Sequence, residues 1–277
     1  MSVYFFTAKY TESNRGTRRS VKSVLIICEI CEKNFIFGFS KPQKNKMFNL
    51  TAICFAFLLF ISSPGEITRT VLPDGLKEDF HCLADEYCRN IYCESGLEGK
   101  LDYDVFHRAF TGISLLGAPR KDILTIIDYS KPSYAKRFFV IDLVNGKLLY
   151  QTLVAHGKNT GEITCTRFSN RPRSLQSSPG FFMTAETYTG SQGYSLRLDG
   201  MEPGLNDQAR ARAIVIHGAE YVCQRYVNDF GYIGRSFGCP ALPLDVNRKI
   251  IDLIKGGSCL YINTNDKNYA NLTTICD

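Results

Sequence analysis

The chain has 277 residues, 44% of them hydrophobic, which supplies a real core and fits one large domain or one domain with a small appendage. Its formal charge of +6 is confined to the start: residues 1–65 hold nine Lys/Arg against three Asp/Glu, whereas 66–277 hold 24 of each. A nucleic-acid-binding domain carries its basic excess in the folded part, so that class is excluded.

Residues 1–46 are polar and basic without a sustained period, and are expected to be unstructured or to precede the true start. Cys28 and Cys31 there have metal-pair spacing, but no second pair follows at a zinc-site distance. The basic run Lys41–Lys46 is followed by Met47, the uncharged 12-residue block Leu50–Ile61 and Ser62-Ser-Pro-Gly65. That order is the pattern of a secretory signal peptide over 47–65, with translation expected to start at Met47. The block falls short of the ~20 apolar residues that span a bilayer, and a retained anchor is the alternative. The location expected is the periplasm or cell envelope, with membrane contact only through an uncleaved leader.

A helical extension is expected over 66–121. Leu76, Phe80, Leu83, Tyr87 and Ile91 recur at helical spacing; Phe106, Ala109, Phe110, Ile113 and Leu116 form a second stripe behind Asp102 and Asp104. His81 and His107 on these helices are expected at the surface or the edge of the core.

From Ile123 the period changes to that of strands. Ile123–Ile127 is a short apolar run. Arg137–Val144 and Lys147–Ala155 flank Asn145-Gly146, a strong hairpin signal. Further strands are expected at Gly180–Glu186, Tyr194–Leu198, Ala213–His217 and Ser258–Ile262, and a helix at Pro243–Lys255 closed by Gly256-Gly257. Helices first and strands afterwards predict a mainly β domain over 122–265, with 266–277 as a tail.

Two residues carry the chemistry. His217 ends an apolar strand, and Cys239 follows 22 positions later between Gly238 and Pro240. A cysteine nucleophile needs a base or a positive neighbour, and His217 and Arg235 are the candidates. The backbone N–H groups of Gly238 and Cys239 are candidate oxyanion donors. The alternative is a disulfide cysteine beside a buried histidine. Past Gly65 there are eight cysteines, and spacing leaves their pairing open, a bridge within Cys82, Cys88 and Cys93 being one option. His156 ends a strand and either approaches the site or caps that strand, the second being favoured. The motifs of metallohydrolases, nucleotide enzymes and serine hydrolases are absent.

The blocks Lys136–Asp142, Val154-Ala-His-Gly157, Ser177–Phe181, Leu196–Glu202, Arg212–Ala219 and Gly234–Ala241, in that order, resemble the murein L,D-transpeptidase catalytic domain family. The resemblance implies a β-sandwich catalytic domain with a helical N-terminal extension and no cofactor or metal. It implies that Cys239 attacks a peptidoglycan stem peptide and releases D-Ala, with His217 as base and the Gly218 carbonyl orienting its ring. The acyl group then passes to an amine, or to water in a carboxypeptidase. Arg235, Ser236 and His156 are the candidate substrate contacts. Two positions depart from the family pattern: Phe237 stands where a second histidine is usual, and Ala241 where a polar residue is usual. Those departures leave a third reading open, a peptidoglycan-binding module without turnover.

Overall fold

The computed structural model describes residues 7–10, 21–24, 74–266, 269, 273 and 275. The segment expected as a leader at 47–65, the Cys28/Cys31 pair and Cys82 lie outside the described residues or side chains. Strands β1 (Thr7–Tyr10) and β2 (Val21–Val24) pair antiparallel, Thr7 opposite Val24, in a stretch for which no regular structure was expected.

Residues 74–277 form a separate compact unit. It opens with α1 (Asp74–Glu94) and α2 (Tyr103–Leu116). Asp102 caps α2 by accepting the Asp104 N–H at 2.8 Å, and Gly117 ends it in the left-handed conformation, φ 62°. Both helices are where the apolar stripes placed them. They are packed onto the sheet within this unit: Ile91, Phe106, Ala109 and Ile113 share a core cluster with Leu124, Ile126, Phe139, Phe181 and Tyr261.

The sheet has eight strands in the order β5-β4-β3-β10-β6-β7-β8-β9. Its middle is β3 (Arg120–Asp128) paired parallel with β10 (Ser258–Asn263), the latter buried along its whole length. Buried on both faces, such strands read as continuous apolar runs, which is why Ile123–Ile127 shows no alternation. On one side lie β4 (Phe138–Asp142) and β5 (Lys147–Thr152). On the other lie β6 (Gly180–Gly190), β7 (Gly193–Gly200), β8 (Val215–Gly218) and β9 (Ala241–Leu242). Beyond β5 the Ala155 N–H donates to the Ala241 carbonyl at 2.9 Å, so the two ends of the sheet meet. The sheet thus curls toward a barrel. Its inner core holds Phe138 and Val140 of β4 together with Leu198 and Ile216 from β7 and β8. Helix α4 (Asn247–Ile254) contributes Ile250, Ile251 and Ile254 to that core. The fold is mainly β, as expected, with its layers made by one folded-over sheet.

The β4–β5 connection runs over four residues instead of the two-residue Asn-Gly loop. Asp142 Oδ1 accepts the N–H groups of Val144 and Asn145, each at 2.9 Å, which builds an Asx turn ahead of Gly146. A seven-residue helix, α3 (Gln224–Phe230), and β9 were not foreseen. The Cys88, Cys93, Cys165, Cys223 and Cys239 thiols are free. No bridge therefore joins Cys88 to Cys93.

Candidate active site

The site is assembled where β8 meets β9. In that parallel pair His217 stands opposite Ala241 and Gly218 opposite Leu242. Cys239 lies two residues before Ala241, outside β9, in the turn that leads into it. Residues 219–238 form an excursion that returns the chain to the edge of β8. It is anchored by Ala219 N–H to Leu242 O at 2.9 Å and Gly234 N–H to Tyr221 O at 2.9 Å.

His217 is 3% exposed, and its Nδ1 lies 2.9 Å from the Gly218 carbonyl oxygen. A carbonyl only accepts, so Nδ1 carries the proton and Nε2 keeps the lone pair. Burial lowers the pKa of His217, the bond to Gly218 opposing it. The Cys239 thiol is half-buried and donates to the Ala213 carbonyl at 3.6 Å. Burial raises its pKa, opposed by hydrogen bonding from the Val215 backbone and by the charge of Arg212. At rest the Cys239 thiol and the His217 imidazole are therefore both neutral.

Ser236 braces the turn from inside. It is 5% exposed; its Oγ donates to the Cys239 carbonyl at 2.6 Å and accepts the Gly238 N–H at 3.1 Å. The Gly238 N–H, a candidate oxyanion donor, is thus engaged by Ser236. Gly238 has φ 130°, and a Cβ there would lie 3.0 Å from the Gln176 carbonyl oxygen. Ser177 ties the same turn to a second segment: its Oγ donates to Gly238 O at 3.1 Å and accepts the Gly157 N–H at 3.0 Å.

His156 is wholly buried, 0% exposed, a placement that fits the strand-capping role instead of direct substrate contact. Arg137, also 0% exposed, donates to His156 Nδ1 at 2.7 Å, and His156 Nε2 lies 3.2 Å from Gly161 O. Burial and then the Arg137 charge lower the His156 pKa to about 3. The chain after His156 pairs with the turn that carries Cys239: Ser236 N–H donates to His156 O at 2.9 Å and Lys158 N–H to Ser236 O at 2.8 Å. Arg235 reaches Lys158 O and Gly161 O at 3.4 and 3.3 Å. Phe237 is 71% exposed, with Lys158 Nζ 5.1 Å from its ring centre.

Three contributors were not singled out from the sequence. Ser177 and Arg212 act on the turn from 61 and 27 positions upstream of Gly238 and Cys239, and no spacing rule connects them. Tyr221, half-buried, has its pKa raised to about 12 by burial and by facing Cys239. Its place four residues after His217 was the one available hint.

The described geometry is accompanied by distant structural likeness. An L,D-transpeptidase from Mycobacterium smegmatis is 15% identical, with a TM-score of 0.33, over 52% of this chain and 59% of that one. An L,D-transpeptidase from Stackebrandtia nassauensis is 15% identical, with a TM-score of 0.32, over 65% and 77%. A helical cell shape determining protein of Campylobacter jejuni is 14% identical, with a TM-score of 0.36, over 58% and 57%. The chain thus spans little more than half the length of the first and third. No curated protein matches it significantly. Residues 97–263, more than half of the chain and all of the strands just described from β3 to β10, match the L,D-transpeptidase catalytic domain model. The chain belongs to the L,D-transpeptidase catalytic domain family.

Proposed function

We propose that this protein is an exported cysteine acyltransferase that acts on peptidoglycan stem peptides. The observation that supports the reading is the β8/β9 pairing, which brings His217, its Nδ1 held by Gly218 O, against the strand that the Cys239 turn leads into. In the proposed reaction His217 Nε2 takes the thiol proton as Sγ attacks the acyl carbon preceding the terminal D-Ala. The tetrahedral intermediate collapses to a thioester, and the D-Ala amine leaves with the proton from His217. An acceptor amine then attacks the thioester while His217 again takes its proton, and the thiol is regenerated. Because both groups rest neutral, proton transfer accompanies attack instead of preceding it. Gly238 N–H is held by Ser236, so the Cys239 N–H is the donor of the two left to face the oxyanion. Export and an envelope location remain part of the proposal, resting on the 47–65 pattern.

The purified chain incubated with tetrapeptide-bearing muropeptides separates the readings. Cross-linked dimers are expected; tripeptides alone would mean a carboxypeptidase using the same residues, and unchanged substrate would contradict an enzyme. Cys239→Ala is expected to abolish turnover, whereas Cys165→Ala, whose thiol lies beside Arg137, leaves it within a few-fold.

A further inference from the structure

Arg212 precedes β8, and its guanidinium makes four hydrogen bonds, all to one loop. Nη1 donates to Ser169 O at 2.7 Å and Ser178 Oγ at 2.5 Å; Nη2 donates to Gln176 O at 2.6 Å and Ser174 Oγ at 3.2 Å. All four acceptors are neutral oxygens, so this half-buried positive charge is solvated by dipoles and cancelled by none of them. It lies against the residue before Cys239: Nη2 is 3.6 Å from where a Cβ on Gly238 would sit. With both terminal nitrogens occupied, the fork has no pair of donors left to clamp a carboxylate of a substrate. What it offers the site is charge and the geometry of the loop.

The backbone around it carries strain. Among the described residues the non-glycine positions with positive φ are Arg173 at 58°, Leu175 at 58° and Ala213 at 55°. Two lie in the loop that Arg212 holds, and the third is its own neighbour. A bulky Leu in the left-handed region persists only where its surroundings over-determine it. Ala213 in that conformation presents the carbonyl that receives the Cys239 thiol. One side chain therefore links a strained loop, a strained residue and the nucleophile.

We propose that Arg212 is a positioning residue of the nucleophile: its uncancelled cation faces the Cys239 sulfur, and its fork pins residues 169–178 against the nucleophile turn. The other groups around the thiol do not supply this charge. Tyr221 and Tyr129 face it as neutral phenols, their pKa values raised by burial, and His217 rests as a neutral imidazole. The thiol itself is pulled down by Arg212 against the larger effect of burial. The inference rests on Cys239 being the nucleophile, and its test does not require turnover of peptidoglycan.

The measurement is the rate of Cys239 alkylation by iodoacetamide against pH, read at that residue by peptide mass spectrometry, on the full chain. Arg212→Gln is expected to raise the apparent pKa of the thiol by about one unit, slowing alkylation about tenfold below that pKa. Arg212→Lys keeps the charge but not the fork, so its profile is expected within a few tenths of a unit of the parent. In both variants trypsin is expected to cut after Arg173 several-fold faster, because the loop has lost its clamp. A Gln profile that superimposes on the parent overturns the proposal, as does a Lys profile displaced as far as the Gln one. Unchanged cleavage at Arg173 overturns the clamp. If the Gln variant does not fold, the Lys variant decides alone: a full-unit rise overturns the proposal, and a parent-like profile with faster cleavage upholds it. A proposal upheld without transpeptidase activity leaves the thiol device standing and the functional reading refuted; the converse result does the reverse.

Discussion

At the scale of single residues, the turn around Cys239 is held by side chains that lie behind it. Ser236 holds both the N–H of Gly238 and the carbonyl of Cys239, so it fixes the Phe237–Gly238 and Cys239–Pro240 peptide planes. Ser236→Ala removes one donor and one acceptor from a buried position, at a cost of about 1–3 kcal/mol. The expected outcome is a modest fall in Tm with a loss of turnover of at least tenfold, borne by kcat more than KM. A KM effect alone would mean that Ser236 contacts substrate instead. His217 and Cys239 were legible in the sequence because a histidine ending an apolar strand and a cysteine between glycine and proline are local patterns. The hydrogen bonds of Ser177 to Gly238 and of Arg212 to Ser178 cross 61 and 34 positions, and local pattern carries no trace of them.

At the scale of elements, the sequence is readable where an element makes its own periodicity and unreadable where a partner makes it. The stripes of α1 and α2 and the β-rich runs on either side of Asn145-Gly146 are self-contained. Strand β9 is two residues long and exists through its pairing with β8, and α3 has no buried residue to give it an apolar face. Strand β8 begins at Val215 and not at Ala213 because Ala213 is left-handed, φ 55°. One feature of α2 decides how closely it lies on the sheet. Gly112 sits inside the helix, where glycine costs ~1 kcal/mol relative to alanine, yet a Cβ there would be 2.2 Å from the Phe181 ring. The helix tolerates the poorer residue so that the two can touch. Gly112→Ala is therefore expected to destabilise the protein by about 1–3 kcal/mol despite its better propensity. Chemical denaturation checks this, and a stabilised variant would contradict the close approach.

At the scale of the whole molecule, a buried charge joins the curled sheet to the site. Arg137, just before β4, donates to Val154 O at 3.1 Å and Lys131 O at 2.7 Å as well as to His156. His156 serves as acceptor only while neutral; protonated, it would set a second cation against a buried guanidinium. Its native pKa, about 3, lies below the ~6.5 of an unfolded histidine. The unfolded chain thus binds the proton first. The contribution is complete above pH ~6.5 and is lost as pH falls from there toward 3, by about 1.4 kcal/mol per unit. Burial lowers His217 too, which adds in the same direction. Between pH 7 and 5 the Tm is expected to fall by several degrees, and His156→Asn, whose carbonyl oxygen can still accept from Arg137, is expected to fall less. Equal slopes for the two proteins would show that His156 does not couple pH to stability.

The account turns on Cys239 as the atom that carries the acyl group. Intact-protein and peptide mass spectrometry after acid quenching of the chain with a tetrapeptide muropeptide tests this most directly. The account predicts a covalent adduct on the Cys239 peptide, of the mass of the muropeptide less D-Ala and accompanied by free D-Ala, that is absent from Cys239→Ala. Product formation with the adduct on another residue, or undiminished turnover in Cys239→Ala, would contradict it.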